Sequence, residues 1–113
     1  MPVSGAFHTP LMASAKLKLI KALDKIEIQP PLIQVMSNVS GKRHSTDVAA
    51  IKRSLSQQLT KSVLWEQSMH KIYQRDKHLA FPNTFECGPG KQLGYLLRLN
   101  NNKAYQNYQH VDV

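Results

Sequence analysis

Apolar residues recur at helical spacing early in the chain. Leu11, Ala15, Leu19, Ala22, Leu23 and Ile26 fall on one face, and Lys16, Lys18, Lys21 and Lys25 fall mostly on the other. Pro10 suits the first turn of such a helix and Thr9 can cap it, so the helix is predicted to begin there. Before it, Met1 to Thr9 reads as an extended or loop segment. Pro30-Pro31 closes this unit, because neither residue can donate a backbone hydrogen bond. Leu32-Ile33-Gln34-Val35-Met36-Ser37 is short and β-branched, and predicts a largely buried strand. Asn38 to Ser45 is a polar loop containing Gly41. Thr46 or Asp47 then starts a second helix with Val48, Ile51, Leu55 and Leu59 as its stripe and Gln58 at the border. Trp65, Met69 and Ile72 mark a third helix, and His78 to Asn83 a connector. Thr84-Phe85-Glu86-Cys87 reads as a strand running into Gly88-Pro89-Gly90, with a fourth helix from Lys91 through Leu93, Leu96 and Leu97. Asn100-Asn101-Asn102 is a turn, and Ala104 to Val111 a last strand. Strands alternating with helices predict an α/β architecture with parallel strands.

Composition narrows the class. The chain has 113 residues, the length of one domain, with 42% hydrophobic and 19% charged residues, a globular balance. Lys+Arg is 15 against 7 Asp+Glu, a net charge of +8. Such an excess suits nucleic acid, an anionic membrane, an acidic protein or an anionic substrate. One cysteine excludes a disulfide framework and a multi-cysteine zinc site. No apolar run approaches the roughly 18 residues of a membrane helix. No acid precedes Asp24, as in a mitochondrial transit peptide, yet that stretch holds no arginine. It reads as an ordinary amphipathic helix.

The candidate chemistry is sparse. His8, His44, His70, His78 and His110 include no pair at the i, i+4 spacing of a helical zinc site, so no metal is expected. His8 stands apart, between an extended segment and a helix start, after the small residues Gly5 and Ala6. Such a histidine can present one ring nitrogen to a cleft while a backbone carbonyl holds the other, or simply be a satisfied loop residue. Cys87 could act as a nucleophile with His8. At the end of an apolar strand it reads more readily as a buried small hydrophobe. Gly88-Pro89-Gly90-Lys91 joins strand to helix as a phosphate loop does, but lacks that loop's spacing and its Ser/Thr, since Gln92 follows Lys91. Asn38-Val39-Ser40 matches a short, common glycosylation pattern with no secretory signal to support it. Basic residues are not interleaved with aromatics as in a nucleic-acid surface.

Five segments, in order, carry a more specific signal. They are Val3 to Met12, Ser37-Asn38-Val39-Ser40-Gly41, Gln57-Gln58-Leu59, Val63 to Met69, and Phe85 to Leu93. Together they resemble the C-terminal part of the malonyl-CoA:acyl-carrier-protein transacylases, the mitochondrial type above all. The resemblance implies an α/β-hydrolase-like core with an inserted ferredoxin-like subdomain. Residues 1–9 would then close the small subdomain and residues 10–113 belong to the large one. It implies malonyl transfer from malonyl-CoA to the phosphopantetheine thiol of acyl carrier protein, in fatty-acid synthesis, with no bound cofactor and no nucleic acid. It further implies a full-length monomer in the mitochondrial matrix, its transit peptide absent from this chain; a cytoplasmic setting is the alternative.

By the same resemblance, His8 matches the general base and acid, and Gln58 the residue whose backbone carbonyl orients it. Phe7 matches an aromatic that fills the space an α-methyl group on the substrate needs. The nucleophilic serine of the family sits in a G-x-S-x-G elbow, and no such pattern occurs here. Ser4, Ser40 and Ser68 all lack glycines at both offsets. The chain is therefore expected to be inactive alone, and to expose apolar strand edges. Cys87 replaces an apolar residue of the family and is expected to be structural. The alternative from another class is a basic, non-enzymatic binding module for nucleic acid or an acidic protein. A third is a cysteine hydrolase using Cys87 and His8.

Overall fold

The computed structural model describes residues 4–113; Met1, Pro2 and Val3, the start of the predicted extended segment, lie outside them. The chain divides into a first compact unit up to Ser68 and a second, Met69–Val113.

In the first unit the predicted N-terminal helix opens as a 3-10 turn, Pro10–Met12, and continues as α1, Ala13–Asp24. Thr9 is extended, but its hydroxyl donates to the Ala6 carbonyl (2.7 Å) instead of accepting from the helix. Helix α2, Val48–Gln57, starts at Asp47, whose carboxylate accepts the Ala49 N–H at 3.0 Å, an ordinary N-cap. The two helices pack together and bury Leu23 and Ile51. The 3-10 turn before α1 is left uncovered, with Leu11 81% exposed, and Leu17 within α1 is exposed as well. The one ion pair among the described residues, Arg53 to Asp47 at 3.6 Å, lies on the surface and contributes little.

The strand predicted for Leu32–Ser37 does not form. Met36 makes a single antiparallel bridge to Arg43, and Leu32 is fully exposed. The flanking bonds, Ser37 N–H to Lys42 and His44 N–H to Val35, both 2.8 Å, fold the segment back on its own loop. A ladder needs a neighbour along its whole length, and among the described residues Leu32, Ile33 and Gln34 have none. Gly41 turns the chain at φ 62°, and a Cβ there would come within 2.8 Å of the Gln67 Cβ.

Helix α3, Trp65–Tyr73, follows the predicted pattern. In the second unit, β1 (Thr84–Cys87) pairs in parallel with β2 (Tyr108–Val111), in register from Thr84 opposite Tyr108 to Cys87 opposite Val111. Between them run α4, Gln92–Asn100, and α5, Asn102–Gln106. The predicted Ala104–Val111 strand is thus shorter. Asn101 accepts the Ala104 N–H at 3.0 Å and so caps a helical turn before the strand begins. Tyr73, Leu97 and Ala104 form a small core, flanked by Met69, Ile72, Phe81 and Tyr108. Tyr73 stacks on Phe81 at 5.7 Å and shares a 2.5 Å hydroxyl bond with Thr84. Alternation along β1 turns Glu86 inward and Cys87 outward, so Cys87 is exposed and not the buried hydrophobe expected.

Gly94 shows how closely this unit is packed. A Cβ at Gly94 would fall 2.4 Å from Tyr108 Cζ and 2.6 Å from its hydroxyl. Glycine inside a helix normally costs about 0.5–1 kcal/mol relative to alanine. Here Gly94→Ala is expected to reverse that sign and lose about 1–3 kcal/mol, the usual size of an overpacking penalty. Urea unfolding of the two proteins measures the difference, and a gain in stability would refute the packing.

Candidate active site

A helix leaves its last carbonyls without partners inside the helix, and those carbonyls are the negative end of its dipole. At the end of α2 the chain turns through Gln58, with Gln58 N–H on Leu55 (3.3 Å) and Thr60 N–H on Gln57 (3.1 Å). The carbonyls of this turn are taken by a residue fifty positions earlier. His8 Nδ1 lies 2.8 Å from the Gln58 oxygen and 3.2 Å from the Lys61 oxygen. The His8 backbone N–H donates to Leu59 at 2.9 Å.

The backbone of His8 is the only non-glycine one with positive φ among the described residues, at 63°. Histidine tolerates this left-handed region better than most side chains, and non-glycine residues held there are concentrated at functional sites. The small residues Gly5 and Ala6 lead into the turn, and a Cβ on Gly5 would come within 3.2 Å of the Phe7 ring. Phe7 itself is 41% exposed, lying over Gly5.

The partners of Nδ1 decide the chemistry of the ring. Carbonyl oxygens only accept, so Nδ1 carries the hydrogen and Nε2 of the neutral ring keeps its lone pair. The arrangement is a half-buried imidazole with a fixed tautomer, oriented by main chain where Ser-His-Asp triads use a carboxylate. No serine hydroxyl bonds to His8 among the described residues. Ser68 is buried and donates to the carbonyl of Leu64, the residue just before α3, at 3.0 Å, and Ser40 accepts from the Lys42 N–H at 3.2 Å.

The turn that resembled a phosphate loop is already occupied. Glu86 Oε1 accepts the Leu93 N–H at 3.0 Å, and Oε2 accepts the Gly94 N–H at 2.7 Å and the Tyr108 hydroxyl at 2.5 Å. The protein's own carboxylate thus fills the anion position at the start of α4. Gly88 and Gly90, at φ 138° and 81°, make the sharp turn that brings those amides round. The Tyr108 bond, helped by the two amides and by His110 nearby, holds the Glu86 carboxyl below its ordinary value of 4.5, against the opposing effect of its burial. The same bond, with burial and the Glu86 charge, pushes the Tyr108 hydroxyl up to about 12. Sequence reasoning missed Glu86. Its one signal was an acid on the face of β1 that strand alternation turns inward.

No family model matches this chain. Over all 113 residues, however, it is 50% identical to the mitochondrial malonyl-CoA-acyl carrier protein transacylase of Mus musculus. Among solved structures, an acyl-carrier-protein S-malonyltransferase from Burkholderia pseudomallei superposes with a TM-score of 0.84 at 30% identity, over 98% of this chain and 34% of that one. The whole of this chain thus matches a segment of malonyl-CoA-acyl carrier protein transacylases. A malonyl-transacylase solved in complex with a type II PKS acyl-carrier protein matches with a TM-score of 0.76 and 27% identity, over the whole of this chain and 34% of that one. The chain spans about 29% of the length of the mouse transacylase. The α/β fold is that of a segment of an acyltransferase, as the resemblance implied. Within the chain, the structure brings His8 to the Gln58 carbonyl, the pairing expected from the resemblance.

Proposed function

We propose that His8 is the general base and acid for malonyl transfer from malonyl-CoA to the phosphopantetheine thiol of acyl carrier protein, in mitochondrial fatty-acid synthesis. The observation that carries this reading is the 2.8 Å contact of His8 Nδ1 with the Gln58 carbonyl, which leaves Nε2 free to take a proton. A serine hydroxyl attacks the thioester carbonyl and gives its proton to Nε2. The C–S bond breaks, and His8 returns the proton to the departing coenzyme A thiolate. In the second half, the pantetheine thiol loses its proton to Nε2 and attacks the serine ester. The proton then passes to the leaving serine oxygen. One histidine thus serves both halves, alternately base and acid.

The serine comes from sequence outside these 113 residues, because no G-x-S-x-G occurs within them. Residues 1–9 close the small subdomain of the parent enzyme and residues 10–113 belong to the large one. Phe7 lines the acyl pocket where an α-methyl group would lie. The +8 charge suits both an anionic coenzyme A ester and an acidic carrier protein. The solved complex of a related transacylase with its carrier protein supports that partner. The mitochondrial setting follows the name of the mouse relative. The purified 113-residue chain, mixed with malonyl-CoA and phosphopantetheinylated carrier protein, is expected to form no malonyl carrier protein. Mass spectrometry of the carrier checks this, and detection of the malonylated form would overturn the assignment of the nucleophile.

A further inference from the structure

We propose that the main-chain carbonyl of Lys61 is a second acceptor for His8 Nδ1–H, so that Lys61 is a positioning residue acting through its backbone. The inference rests on the reading of His8 as the proton carrier. Its grounds are geometric. One N–H faces two oxygens, at 2.8 Å on Gln58 and 3.2 Å on Lys61, the pattern of a three-centre bond common at helix ends. A single acceptor leaves the ring free to pivot about that bond; two acceptors flanking the N–H restrict the pivot.

The backbone of His8 is tied to the same loop, through its N–H on Leu59 at 2.9 Å. Carbonyls of residues 58, 59 and 61 therefore hold one residue by both ring and main chain. The loop is itself braced by Thr60, whose N–H (3.1 Å) and hydroxyl (3.3 Å) both reach the Gln57 carbonyl. That brace keeps the Gln58 and Lys61 oxygens turned toward His8. When Nε2 takes a proton, the ring becomes cationic and its Nδ1–H bonds strengthen. Two carbonyl dipoles together then do what one carboxylate does in other histidine sites. The Lys61 side chain is not needed for this.

The test reads the ring directly in the 113-residue chain. Replacing Ser62 by its α-hydroxy analogue turns the Lys61 carbonyl into an ester carbonyl, a poorer acceptor. The Ser62 N–H lost in that change donates to no backbone carbonyl among the described residues. With 15N-labelled His8, the ratio of Nδ1–H to Nε2–H tautomer is expected to fall about three-fold, the effect of one modest hydrogen bond. A protected His8 backbone amide shows that the bond to Leu59 and the local fold survive. An unchanged ratio in a folded chain overturns the proposal. In the unmodified chain, with 13C-carbonyl lysine and glutamine, couplings across the hydrogen bonds are expected from His8 Nδ1 to both the Lys61 and the Gln58 carbonyl carbons. Coupling to Gln58 alone overturns the proposal even where the ester chain fails to fold. Neither measurement involves malonyl transfer, so each can fail or succeed apart from the proposed function.

Discussion

His8→Ala, made in a full-length transacylase that carries this sequence, is expected to lower malonyl transfer by at least about 10²-fold, the usual loss on removing a general base. The reason lies in the tautomer. Nε2 is basic only while Nδ1 holds its hydrogen against the Gln58 carbonyl, 2.8 Å away. On the proposed mechanism, alanine removes both nitrogens and leaves the serine hydroxyl without a proton acceptor. Gln58→Ala should behave differently, because the carbonyl belongs to the main chain and survives the change. Its transfer rate is expected to stay within about three-fold of the parent, less than the effect of one full hydrogen bond. Single-turnover acylation by malonyl-CoA separates the two variants from any defect in carrier-protein docking. Near-normal acylation by His8→Ala would remove His8 from the mechanism. A collapse in Gln58→Ala with intact folding would shift the role to its side chain.

The second large effect concerns Glu86. Glu86→Ala strips partners from the Leu93 and Gly94 amides and from the Tyr108 hydroxyl at once. Buried polar groups left unpartnered are costly, so the melting temperature is expected to fall by about 10 °C or more. The same clamp makes stability depend on pH at both ends. Glu86 has its folded value depressed, first by Tyr108, so its contribution is complete above about pH 4.5 and is lost as pH falls through the folded value. Tyr108 has its folded value raised from 10.0 to about 12, so its contribution is complete below pH 10 and is lost as pH rises through 12. Thermal unfolding of parent and Glu86→Gln across pH 3–7 tests the acid side, with the parent expected to lose stability more steeply. Parallel curves would show that the carboxylate charge contributes nothing there.

Local signals were readable where one residue settles one geometry. Asp47, one of the two candidate starts with Thr46, caps α2, and Gly88-Pro89-Gly90 turns β1 into α4. The segment Leu32–Ser37 misled because β-branched composition reports fitness for a sheet but not the presence of a neighbour to pair with. The last strand is shorter than predicted because Asn101, a turn residue by type, also caps α5. The site was harder. His8 and Gln58 are fifty residues apart, and nothing in their spacing announces the contact; only the resemblance to a family pointed to it. Lys61 and Leu59 were invisible for a physical reason, since main-chain carbonyls are the same in every residue. Glu86 was hidden because an inward carboxylate makes sense only once the turn has brought the α4 amides to it.

The Glu86 clamp also implies an order of assembly. Its amide partners lie seven and eight residues further along, while its hydroxyl partner lies twenty-two residues on. The shorter loops cost less entropy to close, so Glu86 can cap α4 before β2 is in place. The parallel strand carrying Tyr108 must then arrive to find the carboxylate already held in place. One side chain thus starts the second unit through a short loop and closes it through a long one.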